Sequence, residues 1–389
     1  MKKFRHAFCV LFVAFCACAV RAQKEDDSSI PDYTPTADDD LVLYIPKHSV
    51  RLGFRALSGA KTSFGGQGLL MLSTQSIGAE TGVANRIYSD GSVSPDGRTL
   101  IDPSGNTVPI APDGRTNTWS FIDSSQGTEV PGFIAMHAYS AKTTDASFHE
   151  KDPSLALGVE IASEREMGKV FGSRMKWGLI AGLSVNQIYA TTSANLAADV
   201  TTTTDLYSLG GQAAPDVSST PYVAPVNSGG VDVSVLLGDQ PLDRSTKTAS
   251  IANEVLSTWK LRGAYVTMRA GPTLYLPVTS RFSATFSAGA VLVYAGTTYE
   301  VTQSFKPETG DEVSQFVTNT KNALLPGFYV DADLQFAMTD TSGLYLGAVY
   351  QNSGDYVQTV SSTDGLSTYM TRVDLSSLQG IRAGVSFKF

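Results

Sequence analysis

Over residues 264–294, apolar and polar side chains take turns at every second position. Ala264, Val266, Met268 and Ala270 alternate with Tyr265, Thr267 and Arg269. After a tight turn at 277–280, Phe282, Ala284, Phe286, Ala288, Ala290, Leu292 and Tyr294 alternate with Ser283, Thr285, Ser287 and Gly289. A period of two places each set on its own face of an extended strand, so both stretches are expected to be strands with one apolar and one polar face. The same code recurs with Val50, Leu52, Phe54 and Ala56 against Arg51, Gly53 and Arg55, and with Leu155, Leu157, Val159 and Ile161 against Gly158 and Glu160. It returns with Trp177, Leu179, Ala181, Leu183 and Val185 against Gly178, Gly182, Ser184 and Asn186. It returns again with Phe328, Val330, Ala332, Leu334 and Phe336 against Tyr329, Asp331, Asp333 and Gln335, and with Leu344, Leu346, Ala348 and Tyr350. The last stretch sets Ile381, Ala383, Val385, Phe387 and Phe389 against Arg382, Gly384, Ser386 and Lys388.

An all-β chain of this kind is either a soluble sandwich or a closed barrel, since both use strands with one apolar face. The N-terminus bears on that choice. Lys2, Lys3 and Arg5 precede an apolar run over 7–20, too short to span a membrane, and Val20, Arg21 and Ala22 form a small-x-small cleavage site before Gln23. Residues 1–22 are therefore expected to be a secretory signal peptide. A lipidated Cys18 is the rival, but Phe15 stands where such signals usually carry Leu. All three cysteines, Cys9, Cys16 and Cys18, fall inside this segment, so the remainder forms no disulfide and no thiolate metal site. Cleavage removes four cations and no acid, which takes the formal charge from -8 to -12. Nucleic acid is an unsuitable partner for so acidic a chain. Residues 23–46, with seven acidic side chains, Pro31 and Pro35, read as a solvated periplasmic linker.

From residue 47 onward the connections alternate in length. Short turns are expected around 166–174, 277–280 and 339–343, and long loops at 61–150, 191–258 and 305–322. Asp90-Gly91, Asp96-Gly97 and Asp113-Gly114 mark turns in the first loop, and the pentad Pro-Asp-Gly-Arg-Thr occurs at 95–99 and 112–116, where hairpin tips are expected. Residues 133–139 are expected to form a further strand, either in the wall or in a hairpin projecting above it. The second loop, rich in Thr, Ser, Pro and Gly, lacks apolar periodicity and reads as exposed. One strand before the first loop, two before the second, two before the third and three after it make eight, or ten and more if further pairs join the wall.

The final eight residues, Arg382-Ala383-Gly384-Val385-Ser386-Phe387-Lys388-Phe389, carry a polar residue, a Gly, spaced hydrophobics and a terminal Phe. This order resembles the C-terminal assembly signal of Gram-negative outer-membrane β-barrel proteins, small and porin-like barrels among them. Residues 47–389 resemble such barrels in pattern, with short turns at one end, long loops at the other and aromatics near strand ends. The resemblance implies a transmembrane antiparallel β-barrel in the outer membrane, with long extracellular loops. It also implies that Arg382, Gly384, Phe387 and Phe389 are read by periplasmic chaperones and the barrel-assembly machinery, and that outer-membrane lipid surrounds the wall. Trp177, Trp259, Tyr275, Tyr294, Tyr345, Tyr350 and Phe387 are expected to supply interfacial girdles.

The alternation aims Arg51, Arg55, Glu160, Arg269, Asp331, Asp333, Arg382 and Lys388 inward. An eight-stranded barrel has a lumen just wide enough for side chains to fill, and charges there are costly unless paired, so Arg is expected opposite Asp or Glu. Three functions remain. A structural or surface-interaction barrel would use its loops to meet an extracellular ligand; a narrow channel would keep a wet lumen; a hydrolase would need a catalytic cluster at the rim. His48, His137 and His149 are the only histidines after the leader. His137 with Ser140 is the one base and nucleophile pair to suggest, and it lacks an orienting carboxylate at a recognisable spacing. No enzyme activity, cofactor or metal site is expected.

Overall fold

The computed structural model describes residues 48–71, 85–151, 155–170, 174–215, 222–223 and 235–389; the expected leader 1–22 and linker 23–46 lie outside them. Eight strands form a wall: β1 (His48–Ser58), β2 (Ala156–Lys169), β3 (Lys176–Ser208), β4 (Asp243–Pro277), β5 (Phe282–Phe305), β6 (Val313–Ala337), β7 (Ser342–Asn352) and β8 (Leu378–Lys388). Each pairs antiparallel with the next. The last also pairs with the first, so Leu52 of β1 lies between Ile161 of β2 and Val385 of β8 and the ring is closed. These are the eight stretches marked by the alternation. A closed ring leaves no sheet edge within the wall.

The strands differ greatly in length, and here the structure departs from the expected loops. β3 and β4 stay paired from Lys176 with Tyr275 up to Leu206 with Asp243, so half of the expected loop 191–258 is the two strands of a tall β-hairpin. β5 and β6 stay paired up to Phe305 with Val313, which reduces the expected loop 305–322 to a turn at 306–312. The reason is physical: beyond Tyr189 and Tyr294 most outward residues are polar, Thr, Ser, Lys and Glu among them, while Leu196, Trp259, Leu261, Tyr299 and Val301 remain buried inside. The strands continue, but their apolar face changes sides.

The end carrying the turns at 278–281 and 338–341 is called the lower end. Above the ring, three further pieces assemble. The strand Phe133–Thr143 pairs with the upper part of β3 rather than entering the wall, and Leu69–Met71 pairs with its other edge. A four-stranded sheet orders His149–Lys151, Lys61–Gln67, Thr368–Asp374 and Asp355–Ser361. A smaller sheet, which we term the crown, joins Arg86–Tyr88, Gly91–Val93, Trp119–Phe121 and Tyr222–Val223 around its own core, with Ile134, Met136 and Tyr207.

The repeated pentads sit at the base of a hairpin, not at tips. Its strands are Thr99–Ile101 and Thr107–Pro109, and its tip is closed by Asp102, whose Oδ1 accepts from Ser104 N at 2.9 Å and Asn106 N at 2.8 Å. Arg98 of the first pentad instead ties the two together, donating to Asp96 at 2.9 Å and to Asp113 of the second pentad at 2.6 Å. Those carboxylates hold the Arg98 guanidinium above its ordinary pKa against the opposing effect of burial.

Candidate functional site

Eight charged side chains meet in the lower lumen. Arg51, Arg55, Arg269 and Arg382 face Glu160, Glu164, Asp331 and Asp333, so the cluster is formally neutral. Arg382 Nε donates to Asp333 Oδ1 at 2.7 Å, its Nη2 lies 2.9 Å from Asp331 Oδ1, and its Nη1 lies 3.6 Å from Glu160 Oε1. Arg51 Nη1 donates to Asp333 Oδ2 at 2.9 Å, while its Nη2 pairs with Glu164. Arg269 pairs with Asp331 and comes within 3.7 Å of Glu160. Arg55, the direct cross-strand neighbour of Arg382, lies 3.6 Å from Glu160 Oε2. Two like charges opposite each other repel, and Glu160 offsets them.

Small residues let these groups reach one another. Arg382 and Asp333 sit on either side of Gly347, and a Cβ there would stand 1.9 Å from Asp333 Oδ1. Tyr345 crosses Gly384 and Gly53 in the same way, and its hydroxyl donates to Glu160 Oε1 at 2.9 Å. A Cβ on Gly53 would meet that hydroxyl at 2.1 Å. The expected lumen residues Arg51, Arg55, Glu160, Arg269, Asp331, Asp333 and Arg382 are thus brought together, with Glu164 and Tyr345 added. Glu164 shares the inward parity of Glu160, so the sequence carried its signal.

The residues of the expected assembly motif are spread over both faces. Arg382 lies in the ion cluster, Gly384 under the Tyr345 ring, and Phe387 and Phe389 are exposed on the outside. The Phe389 N–H donates to His48 O at 2.9 Å, and Lys388 Nζ stands 5.8 Å from the Tyr275 ring centre at the lower mouth. Three expected girdle aromatics face inward instead: Trp259 and Tyr345 are both buried, and Tyr275 pairs with the buried Thr285. Trp259 and Tyr275 share the parity of Arg269, and Tyr345 that of Asp331 through the strand pairing, which rules out the outer surface.

A second seal lies above the ions. Phe64, Tyr356, Val360, Tyr369 and Val373 of the four-stranded sheet pack inside the wall against Trp259, Leu261, Val293, Tyr299 and Val301. Phe64 stacks on Trp259 with ring centres 6.3 Å apart and on Tyr299 at 5.9 Å. Polar ends are matched: the Tyr369 hydroxyl donates to Gln303 at 2.6 Å, and Thr297 donates to Gln358 at 3.0 Å. Burial pushes the Tyr356 and Tyr369 hydroxyls up to about 12.

In the crown, His137 has a carboxylate partner that its sequence neighbourhood does not reveal. Its Nδ1 lies 2.5 Å from Asp90 Oδ2, its backbone N–H donates to Asp90 Oδ1 at 2.8 Å, and its Nε2 is 3.2 Å from Glu129. Burial alone would depress the imidazole, but the Asp90 hydrogen bond and charge, with the Glu129 charge, outweigh it and hold His137 above its ordinary value. Below that raised value the imidazole and the two carboxylates form an ion bridge, and its Nε2 faces Glu129 rather than a nucleophile. Ser140, three residues along an extended strand, falls on its opposite face. Asp205 anchors the crown to the tall hairpin, accepting from Tyr88 at 2.6 Å and from Arg244 Nε at 2.6 Å.

No protein-family model matches this chain, and no curated protein is similar to it. Among solved structures it is similar to the outer membrane protease OmpT from Escherichia coli, at 9% identity and a TM-score of 0.30, over 90% of this chain and 99% of that one. It is also similar to the outer membrane protein OprG from Pseudomonas aeruginosa, at 11% identity and a TM-score of 0.30, over 88% and 96%. A Pseudomonas aeruginosa FadL homologue follows at 9% identity and a TM-score of 0.18, over 88% and 90%. Likenesses this slight carry neither fold nor function, and the architecture rests on the strand pairing itself.

Proposed function

We propose that the chain is an integral outer-membrane β-barrel of eight strands, sealed to solutes, whose role is structural and surface-interactive and which carries no enzyme activity. The observation that supports this most is the polarity of β5. Its outward residues Phe282, Phe286 and Leu292 are apolar where its inward residues Ser283, Thr285 and Ser287 are polar. Over 282–294 this outer apolar band is on the order of 30 Å tall, at ~3.3 Å per residue and a tilt of ~40°, which suits a bilayer core. In water such a continuous exposed band would drive association; against hydrocarbon it is satisfied, and the closed ring leaves no strand edge there.

The neutral ion cluster and the aromatic plug above it both fill the lumen, which weighs against the narrow channel. Under the same reading Arg382, Gly384, Phe387 and Phe389 serve recognition by periplasmic chaperones and the assembly machinery. The test is twofold. Unboiled protein in detergent is expected to migrate differently from boiled protein, and purified protein in planar bilayers is expected to give no stable conductance. Heat-independent migration would overturn the barrel, and a large stable conductance would overturn the seal.

A further inference from the structure

Near its upper end β4 loses one of its two neighbours. β5 pairs with β4 only as far as Val255, opposite Phe305, whereas β3 remains paired with it to Asp243. The break has a local cause: the β3–β4 register slips between Leu196 and Ala198, and Asn253 takes a φ of 59°, a left-handed conformation that Asn tolerates better than most residues. Residues 245–251 are therefore paired on one edge and, among the described residues, carry no strand on the other. All of them are exposed.

The face beside this edge is built in rows. Ser245 stands level with Thr204 and His137, and Lys247 stands level with Thr202 and Tyr139. This face walls a groove of about 780 Å³ that is closed opposite by Glu129 and by the β5–β6 turn at Glu308 and Thr309. The turn is pinned across the groove by the Tyr139 hydroxyl, 3.1 Å from Thr309 Oγ1. Val200, Ile251 and Phe305 give the groove an apolar floor. Glu129, Glu254 and Glu308 line it against a single lysine, Lys247, while the His137 imidazole is already held between Asp90 and Glu129. The field is felt at Tyr139, whose hydroxyl is pushed up by burial and by the Asp90, Glu308 and Glu129 carboxylates.

We infer that the open edge at 245–251, with the groove beside it, binds an extended basic polypeptide segment of another protein by strand addition. An unpaired strand edge presents N–H and C=O groups at a spacing that an extended backbone matches and that a sugar or a lipid does not. Alternate side chains of the added strand would stand over the groove, where the surplus of carboxylates favours Lys or Arg and the floor accepts an apolar residue between them. This deepens the proposed surface role and rests on it only for the side of the membrane that the groove faces.

The test uses the full protein in detergent and a fluorescent peptide in which Lys alternates with Val and Thr over the length of the edge. Saturable binding is expected, weaker by at least about tenfold for the same peptide N-methylated on alternate amides and for a version with Glu in place of Lys. Glu254→Gln and Glu308→Gln together are expected to weaken it several-fold while leaving the heat-dependent gel shift intact. Equal binding of the N-methylated peptide would overturn strand addition, and equal binding of the Glu peptide would overturn the charge argument. Absence of saturable binding at millimolar peptide would overturn the site, as would self-association of the protein through this edge that the peptide fails to disrupt. Binding to purified protein but not to intact cells would leave the site standing and refute the outward-facing crown.

Discussion

The lower and upper halves of the same wall are built from opposite rules. Below, along β5 and β6, the outward residues are Phe286, Phe328, Val330 and Leu334, all exposed, and the inward ones are Ser287, Asp331, Asp333 and Gln335, all buried. Above, the outward residues are Thr298, Glu300, Thr318 and Thr320, and the inward ones are Tyr299, Val301 and Val317. The changeover lies at one level around this part of the wall, where Val266, Tyr294 and Leu324 end the run of large apolar outward residues and Gly296 and Asn322 follow; higher up, Leu256 and Phe316 are isolated exposed apolar residues on that face. One strand thus obeys hydrocarbon for half its length and water for the rest. Its hydrogen-bonded ladder does not change; only the side on which burial is favourable does.

The difference can be broken first from the inside. The lower lumen is held by ions, so Arg382→Ala would leave Asp331 and Asp333 buried without their main partner and is expected to cost about 3–5 kcal/mol. Urea unfolding in detergent micelles measures this. A loss below ~1 kcal/mol would mean that water solvates the cluster and that the lower lumen is wet. The corresponding change above, Trp259→Ala, removes packing instead of charge, and its cost should be insensitive to salt.

Charge placed on the outer face makes the second, smaller contrast. Phe286→Arg sets a guanidinium near the middle of the apolar band and is expected to destabilise by about 2–4 kcal/mol. Thr298→Arg, on the same face of the same strand, is expected to stay within about 0.5 kcal/mol of the parent. Refolding yields into lipid vesicles and midpoints of unfolding would show the two apart. Equal effects would place both residues in the same solvent and remove the proposed membrane boundary.

That boundary explains which features could be read from the residues alone. The eight wall stretches and the inward Arg, Asp and Glu side chains were legible because parity is strict in a strand: Arg51 and Arg55, or Asp331 and Asp333, must share a face. Glu164 follows Glu160 by the same parity but lies beyond the last clear apolar outward residue, Ile161, where Ser163 and Arg165 end the alternation. The hairpin over 191–258 was hidden because a search for an apolar face opposite a polar lumen fails where the faces are exchanged. Thr201, Thr202, Thr203 and Thr204 supply β-branched residues to both faces and leave no period to see. The Asp90 and His137 pair depends on how the crown strands pair, with the partners 47 positions apart in the chain. No local spacing encodes it.

The smallest contrast concerns pH, and it separates the crown from the ring. His137 is held above its ordinary value by Asp90 and Glu129, so its folded-state pKa exceeds the unfolded value of about 6.5. The stabilisation this gives is fully present below about pH 6.5 and is lost as pH rises through the raised value. Asp90 is buried and keeps its bond from the His137 backbone, so the neutral imidazole weakens the crown without unmaking it. Limited proteolysis at a series of pH values should show crown cleavage accelerating on the alkaline side while the heat-dependent gel shift of the ring stays constant. His137→Gln should abolish that pH dependence and cleave at one elevated rate throughout. If cleavage of the parent were flat across the same range, the Asp90–His137–Glu129 bridge would carry no charge of its own, and the crown would stand on its aromatic core alone.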